Sequence, residues 1–454
     1  MTATTRSRRI TTVSGSPVAF GRKLSYALSH LVLIDSFAPL KRALDVVVST
    51  VALALTAPFT VLFGLGRLMR GREILSRTEK VGRLGLRYTQ YSFAGLENHP
   101  VMRRIPVLIN ILGGEMSLIG PRAVVPGDPI ARANGSARLA VKPGAISPWW
   151  LRQRANIDFD DEAATDREYL WRTTLAGDLG IALRAIPALA FSEKREAAPD
   201  TVEILGIRIN NMSMAEALGW IQERLEGEEQ AVVSMTNAHC ANVSCLNAAY
   251  HEALLASGLN LADGAGVRLA GKLKRTPIRQ NVNGTDMFPR LCAMLQGTGK
   301  SIYLLGGRPG VAKGVAQWIG KRYPRTVIAG YRDGYFSAPE EAIVAAQIRA
   351  SGATLLLVAM GVPQQELWIQ RNLTDTGVRV AMGVGGLFDF YSGRIPRAPA
   401  WMREVGIEWI YRLMQEPGRM WKRYLIGNWT FLLRFLLHEW NLYRPHAQTR
   451  GEPL

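Results

Sequence analysis

Few side chains in these 454 residues are disposed to do chemistry, and most of those lie in the C-terminal half. The six histidines are scattered. No His, Cys or Asp-x-Asp cluster with metal-ligand spacing occurs there, so neither a metal nor a cofactor is expected. Cys240, Cys245 and Cys292 are too few, and odd in number, for a disulfide framework, which suggests a reducing compartment. What remains are carboxylates and amides beside glycines: Asp263 before Gly264, Asp286 after Gly284, Asp389 after Gly385-Gly386, Asn237, and Gln365 after Gly361. One such carboxylate, placed at a hydroxyl, can take its proton as the oxygen attacks. Read alone, an Asp-Gly pair is more often a turn. Gly306-Gly307 lets backbone approach a phosphate closely.

These residues need a scaffold, and the apolar pattern supplies one. Runs of strand length occur at 231–238, 301–307, 354–361 and 378–385, with helical stretches such as 311–323 and 340–350 between them. Strands alternating with helices imply an α/β domain whose parallel sheet is covered on both faces. Ligands of such sheets sit beyond the carboxyl ends of the strands. That rule selects Asn237, Gly306-Gly307, the loop from Gly361 to Glu366 and the loop from Gly385 to Asp389. Residues 193–201 are charged, Pro-containing and aperiodic, and read as a linker.

The N-terminal half contains a different signal. From Val46 to Gly66 no residue is charged, and about 20 residues suffice to cross a bilayer. Arg and Lys flank both ends, so the positive-inside rule gives no single crossing direction. Pro58 in mid-run favours a kink. Both features suit a re-entrant helix with its two ends on the cytoplasmic side; a spanning helix is the alternative. The net charge of +18 calls for an anionic partner: anionic lipid, a sugar nucleotide or nucleic acid. Nucleic acid fits least, since neither a zinc spacing nor an RNA-binding signature is present.

Residues from about 202 to 425 resemble the WecG/TagA/CpsF glycosyltransferases. The resemblance rests on Ala262-Asp263-Gly264-x-Gly266-Val, Val282-x-Gly284-x-Asp286 and Tyr303-Leu-Leu-Gly306-Gly307-x-Pro309-Gly310. It continues through Gly361-x-Pro363-x-Gln365-Glu366-x-Trp368, Gly383-Val-Gly385-Gly386-x-Phe388-Asp389 and Arg397-Ala-Pro399. It closes with Glu408-Trp409-x-Tyr411-Arg412 and Gln415-Glu416-Pro417. The resemblance implies a Rossmann-like domain that inverts an N-acetylmannosamine-type sugar, its uronic acid or another hexose. The sugar would move from a UDP-sugar donor to a polyprenyl-diphosphate-linked acceptor, in exopolysaccharide or cell-surface glycan synthesis. It makes Asp263 the general base. Asn237, Asp286, Gly306, Gly307, Gln365 and Asp389 become substrate contacts, with Arg412 and Arg419 lent by a basic-aromatic appendage. The family often has Arg where this chain has Asn281; Arg279 and Arg275 are the nearby replacements.

The first half resembles the bacterial sugar transferases, in Arg77-x-Glu79-x-Val-Gly82-Arg83, Gly120-Pro121-Arg122 and Lys142-Pro143-Gly144. In that family an Asp-Glu pair, whose Asp is the nucleophile, precedes the position of Ile105-Pro106. This chain has Arg103-Arg104, and the stretch between Gln90 and Arg103 is shortened. A guanidinium has no lone pair to attack phosphorus. The resemblance thus implies an α+β membrane-associated domain that keeps its frame without its chemistry. Pro121-Arg122 and Lys142 either hold a phosphate or pair with nearby carboxylates. The expected organisation is a basic segment at 1–42, the transferase-like domain at 43–192 and the linker at 193–201. The glycosyltransferase domain then runs over 202–410 and the appendage over 411–454. The expected location is the cytoplasmic face of a bacterial inner membrane, held by 46–66; a homo-oligomer stays open. A bifunctional enzyme and a non-enzymatic scaffold are the alternatives.

Overall fold

The computed structural model describes residues 17–97, 99–130, 138–155, 162–171, 173–190 and 198–443, with side chains from residue 38 onward except at 154–155 and 187–190. The expected linker at 193–201 lies largely outside these residues, as do the ends of the basic N-terminal segment and of the appendage. The chain forms two compact units, Met1–Trp150 with Asp161–Ala185, and Leu151–Asp160 with Ile186–Leu454.

The first unit is built on one helix, Pro17–Leu68. The helix continues through Pro58, the residue at which a kink was expected. At 1.5 Å per residue its uncharged run, 46–66, is about 31 Å long, close to the ~30 Å of a hydrocarbon core. Only 6 % of its most apolar window is buried, so it is not the core helix of a soluble domain. Leu44, Val47, Val51, Leu55, Leu62 and Leu65 are exposed. Their steps of three and four put them on one face. Asp45 and Ser49, on the other face, are buried, and Asp45 accepts from the Leu118 N–H at 3.0 Å. Phe59 and Phe63 pack on Phe93.

Around this helix lie an antiparallel hairpin, β1 (Leu75–Val81) and β2 (Arg87–Phe93), and a parallel pair, β3 (Ser117–Ile119) and β4 (Gly144–Ile146). A small core joins Tyr88, Val107, Ile111 and Met116. Gly120 and Gly144 touch backbone to backbone: a Cβ on Gly120 would lie 2.5 Å from the Lys142 carbonyl, so the Gly-Pro-Arg and Lys-Pro-Gly motifs are a matched pair.

The second unit is an eight-stranded sheet in the order β10-β9-β11-β12-β7-β8-β6-β5. Four of its strands fall on the expected runs: β7 (Ala231–Thr236), β9 (Ser301–Gly306), β11 (Leu355–Ala359) and β12 (Val380–Gly383). The others are β5 (Thr201–Ile204), β6 (Ile207–Asn210), β8 (Leu259–Ala262) and β10 (Val327–Arg332). All neighbours pair in parallel except β5 with β6. β9, β11 and β12 are buried along their whole length, as a sheet covered on both faces requires. The carboxyl ends of β7, β8, β9, β11 and β12 therefore share one rim, where the candidate site lies.

Candidate active site

Asn237 follows β7 and starts the helix Ala238–Ser244. Its Oδ1 accepts from the N–H groups of His239 (3.0 Å) and Cys240 (3.1 Å), which the helix start leaves unpaired. Its amide is thereby oriented, and Nδ2 donates to Asp263 Oδ2 at 3.2 Å. Asp263 follows β8, and its own N–H donates to the Thr236 carbonyl at 2.9 Å. Gly264 adopts φ +88°, a conformation that favours glycine. Asn281 Oδ1 accepts from the Gly264 N–H at 2.6 Å. Where the resembling family places an arginine, this chain thus uses an amide to brace the Asp263-Gly264 turn. Neither expected replacement lines the rim cavities. Arg279 is turned away to Asp200 (2.6 Å) and the Ala198 carbonyl (2.8 Å).

Asp263 stands where two cavities meet. One, of about 540 Å³, is walled by the strand-end loops: Gly307, Gly361, Gln365, Gly385 and Asp389 among others. The other, of about 440 Å³, carries Leu269, Trp409, Tyr424, Trp429, Phe431 and Leu432. Asn237, Asp263, Arg412 and Arg423 line both. Withdrawal from water raises the Asp263 carboxyl above its ordinary range, while the Asn237 hydrogen bond and then Arg423 and Arg412 oppose the rise. A carboxylate so placed is a stronger proton acceptor than a solvated one, with cations near enough to keep it ionised.

The remaining expected residues divide by what their side chains do. Gln365 is buried; its Oε1 accepts from Gly385 N–H (2.9 Å) and Gly361 N–H (3.2 Å). Asp389 faces the first cavity and accepts from Arg394 at 2.7 Å. Asp286 lines the aromatic cavity, but its carboxylate is engaged by Arg397 (2.5 Å) and Asn283 (2.8 Å). Gly307 borders the loop-walled cavity, whereas Gly306 borders neither. A Cβ on Gly306 would lie 2.5 Å from the Ala359 carbonyl, so it is a packing glycine between β9 and β11.

The arginines come from the C-terminal segment. Its last helix, Gly427–Glu439, sinks Phe431 and Phe435 into the core beside Ala238, Ala241 and Val267. Asn242 Nδ2 donates to the Gly427 carbonyl at 2.7 Å. This docking carries Arg412 against Gly386, where a Cβ would lie 2.3 Å from its guanidinium, and over the Phe390 ring at 5.3 Å. Arg419 lines the loop-walled cavity, with Glu416 at 3.6 Å. Arg423 was not singled out in the sequence, because arginines and aromatics alternate through that segment. It lies in a π-helical turn, Lys422–Ile426, whose wider winding changes which residues share a face. The Nε atoms of Arg412 and Arg423 are buried and have no hydrogen-bond partner among the described residues. Both arginines line the two cavities, where an anion would meet these donors. Among the described residues, no group of three or more His, Cys, Asp or Glu side chains is gathered to hold a metal.

The first unit treats its arginines differently. Arg122 forms a two-pronged pair with Glu162 (2.9 and 3.0 Å), and Arg138 is bound to Asp166 (2.8 Å) and Glu162. The phosphate role open to Arg122 is thus taken by a carboxylate. Lys142 lines a cavity of about 290 Å³ with Arg42, Asp45 and Arg83. Arg103 and Arg104 are exposed at the end of a one-turn helix, Pro100–Arg103.

Comparison with known proteins gives both units a lineage. Residues 202–445 match the model of the glycosyl transferase WecG/TagA/CpsF family, and residues 100–192 match that of the bacterial sugar transferases. The first match covers more than half of the sequence, and the chain belongs to the WecG/TagA/CpsF family. It is 33 % identical over 226 residues to an N-acetylglucosaminyldiphosphoundecaprenol N-acetyl-beta-D-mannosaminyltransferase of Bacillus subtilis strain 168, covering 50 % of this chain and 87 % of that protein. A protein of the same name from Bacillus spizizenii is 31 % identical over 222 residues, covering 49 % of this chain and 85 % of the relative.

Proposed function

We propose that this chain transfers a sugar from a UDP-sugar to a hydroxyl of a polyprenyl-diphosphate-linked acceptor, with inversion, on the second unit alone. The observation that carries the reading is the position of Asp263 between two cavities of unlike chemistry. The loop-walled cavity suits the nucleotide donor: glycine backbone admits the diphosphate, and Arg412, Arg419 and Arg423 oppose its charge. The aromatic cavity suits a sugar carried on a lipid. The names of the Bacillus relatives, which join an undecaprenyl-diphosphate-linked acceptor to an N-acetylmannosaminyl transfer, support the same assignment. The transferred sugar is of the N-acetylmannosamine type or another hexose.

In one step the acceptor oxygen bonds to the anomeric carbon and its proton passes to the Asp263 carboxylate. The bond from that carbon to the diphosphate breaks on the opposite face, and UDP leaves with the electron pair. Asn237 holds the carboxylate in line, and the arginines stabilise the charge gathering on the diphosphate. The first unit serves as a membrane platform at the cytoplasmic face. The exposed Leu and Val stripe of its long helix supports this role, because confinement at the bilayer raises the effective acceptor concentration without adding a catalytic group. A reading in which the first unit also starts the glycan is disfavoured by Arg103-Arg104. The test is Asp263→Asn in the full chain, which should abolish sugar transfer while leaving UDP binding intact. Transfer above about a tenth of the wild-type rate would overturn the assignment, since a general base contributes roughly 10²–10⁴-fold.

A further inference from the structure

Next to Gln365 lies a carboxyl that touches neither cavity. Glu366 is 3 % exposed, and its Oε1 accepts from Gln365 Nε2 at 2.7 Å. Its Oε2 has no hydrogen-bond partner among the described residues. Gln365 in turn bridges two strand-end loops, since its single oxygen receives the Gly361 and Gly385 N–H groups. A primary amide has two ends of nearly equal shape and opposite polarity. If the Gln365 amide flipped, its NH2 would face both N–H groups, leaving two donors unpaired and the loops unlinked. The two N–H groups disfavour the flip from one end, and an acceptor at the other end adds to this, because a flipped carbonyl would meet the Glu366 oxygen and the NH2 would lose its partner. Space for the carboxyl is reserved by Gly383 at the end of β12: a Cβ there would lie 2.8 Å from Gln365 Nε2 and 2.9 Å from Glu366 Oε1. A buried carboxyl with an unused oxygen is costly to keep, so its retention at this point needs a return.

We propose that Glu366 is a positioning residue for the nucleotide donor: it fixes the orientation of the Gln365 amide, and through it the spacing of the Gly361 and Gly385 loops that wall the donor cavity. This rests on the donor assignment made above. Glu366 acts through Gln365 and touches no substrate.

The test measures donor KM and kcat of the full chain with a UDP-sugar and a polyprenyl-diphosphate-linked sugar. Glu366→Leu fills the space but accepts nothing, so donor KM should rise about tenfold, as loss of a buried polar contact does, with kcat changed less than threefold. Glu366→Gln keeps an acceptor oxygen and should restore KM to within twofold of wild type. Gln365→Leu should raise KM as well, and adding Glu366→Leu to it should raise it no further. Gly383→Ala pushes on the same pair from the sheet and should raise donor KM even if Glu366→Leu does not fold. A donor KM within twofold of wild type in Glu366→Leu or in Gly383→Ala overturns the proposal. So does a double variant whose KM is the product of the two single effects. A wild-type chain that turns over no UDP-sugar overturns the donor assignment instead.

Discussion

Two arginine-rich regions of this chain have had opposite fates. In the first unit the guanidinium groups of Arg122 and Arg138 close onto Glu162 and Asp166, and of their nitrogens only Nη1 of Arg138 is buried without a partner among the described residues. In the second, Arg412 and Arg423 are packed on aromatic rings, with buried donor atoms still unmet. The residue type is the same; the difference is whether a carboxylate of the protein has reached it first. An arginine already paired holds a fold together, whereas one propped on an aromatic face and facing a cavity is reserved for a ligand. The same contrast separates the carboxylates: Asp286 is spent on Arg397, while Asp263 keeps only an amide partner.

The largest effect that can break this comparison is at Asp263, where Asp263→Asn should lower transfer by roughly 10²–10⁴-fold without lowering the melting temperature. Arg412→Ala or Arg423→Ala should cost about 10²-fold in kcat/KM for the donor, the range seen when one charge-stabilising donor is lost. Arg138→Ala should do the reverse: leave kcat with a short soluble acceptor unchanged and destabilise the first unit by about 3–5 kcal/mol, because Asp166 would remain buried without its partner and Glu162 with Arg122 alone. Denaturant unfolding of the full chain distinguishes these classes. If Arg412→Ala unfolds the protein as readily as Arg138→Ala does, the distinction between structural and reserved arginines is wrong.

A smaller effect tests the platform. Placing Asp at both Val51 and Leu55 should lower sedimentation with liposomes and transfer to acceptor embedded in them, while turnover of a soluble short-chain acceptor stays within twofold. Equal loss on both acceptors would contradict that division of labour. The smallest effect concerns Glu366, whose carboxyl burial pushes up to about 7 from an ordinary 4.5. Between those values the folded chain holds a proton that the unfolded chain has lost. This group's contribution to stability therefore falls as pH rises through the window and is fully present below it. Glu366→Gln should flatten the melting temperature against pH between about 4.5 and 7; an unchanged slope would show that the group is not buried as a neutral acid.

Strands buried on both faces can read as apolar runs, as β7, β9, β11 and β12 do, but β8, equally buried, is only four residues long and is interrupted by Asn260. β5 and β6 are four residues each, and β10 carries a glycine and an arginine at the sheet edge, so their patterns were too short or too mixed to read. The strand-end rule located Asn237, Gln365 and Asp389 because topology alone brings those loops together. It could not tell Gly306 from Gly307, since one turns toward a neighbouring strand and the other toward a cavity. Nor could it show that Asn281 braces a turn while Arg279 faces away. Those outcomes depend on contacts between segments far apart in sequence. The proposal that the first unit lacks its own chemistry rests on Arg103-Arg104 in the sequence, because a guanidinium is not a nucleophile in any fold.

The most direct measurement is the nucleotide released by the full chain. Sugar transfer from a UDP-sugar to a lipid-linked sugar releases UDP, whereas transfer of a phospho-sugar to polyprenyl phosphate releases UMP. Incubated with UDP-sugars and both acceptors, the wild-type chain should release UDP and no UMP, and Asp263→Asn should release neither. UMP release that persists in Asp263→Asn would contradict the account, because it would place working chemistry in the unit proposed to have none.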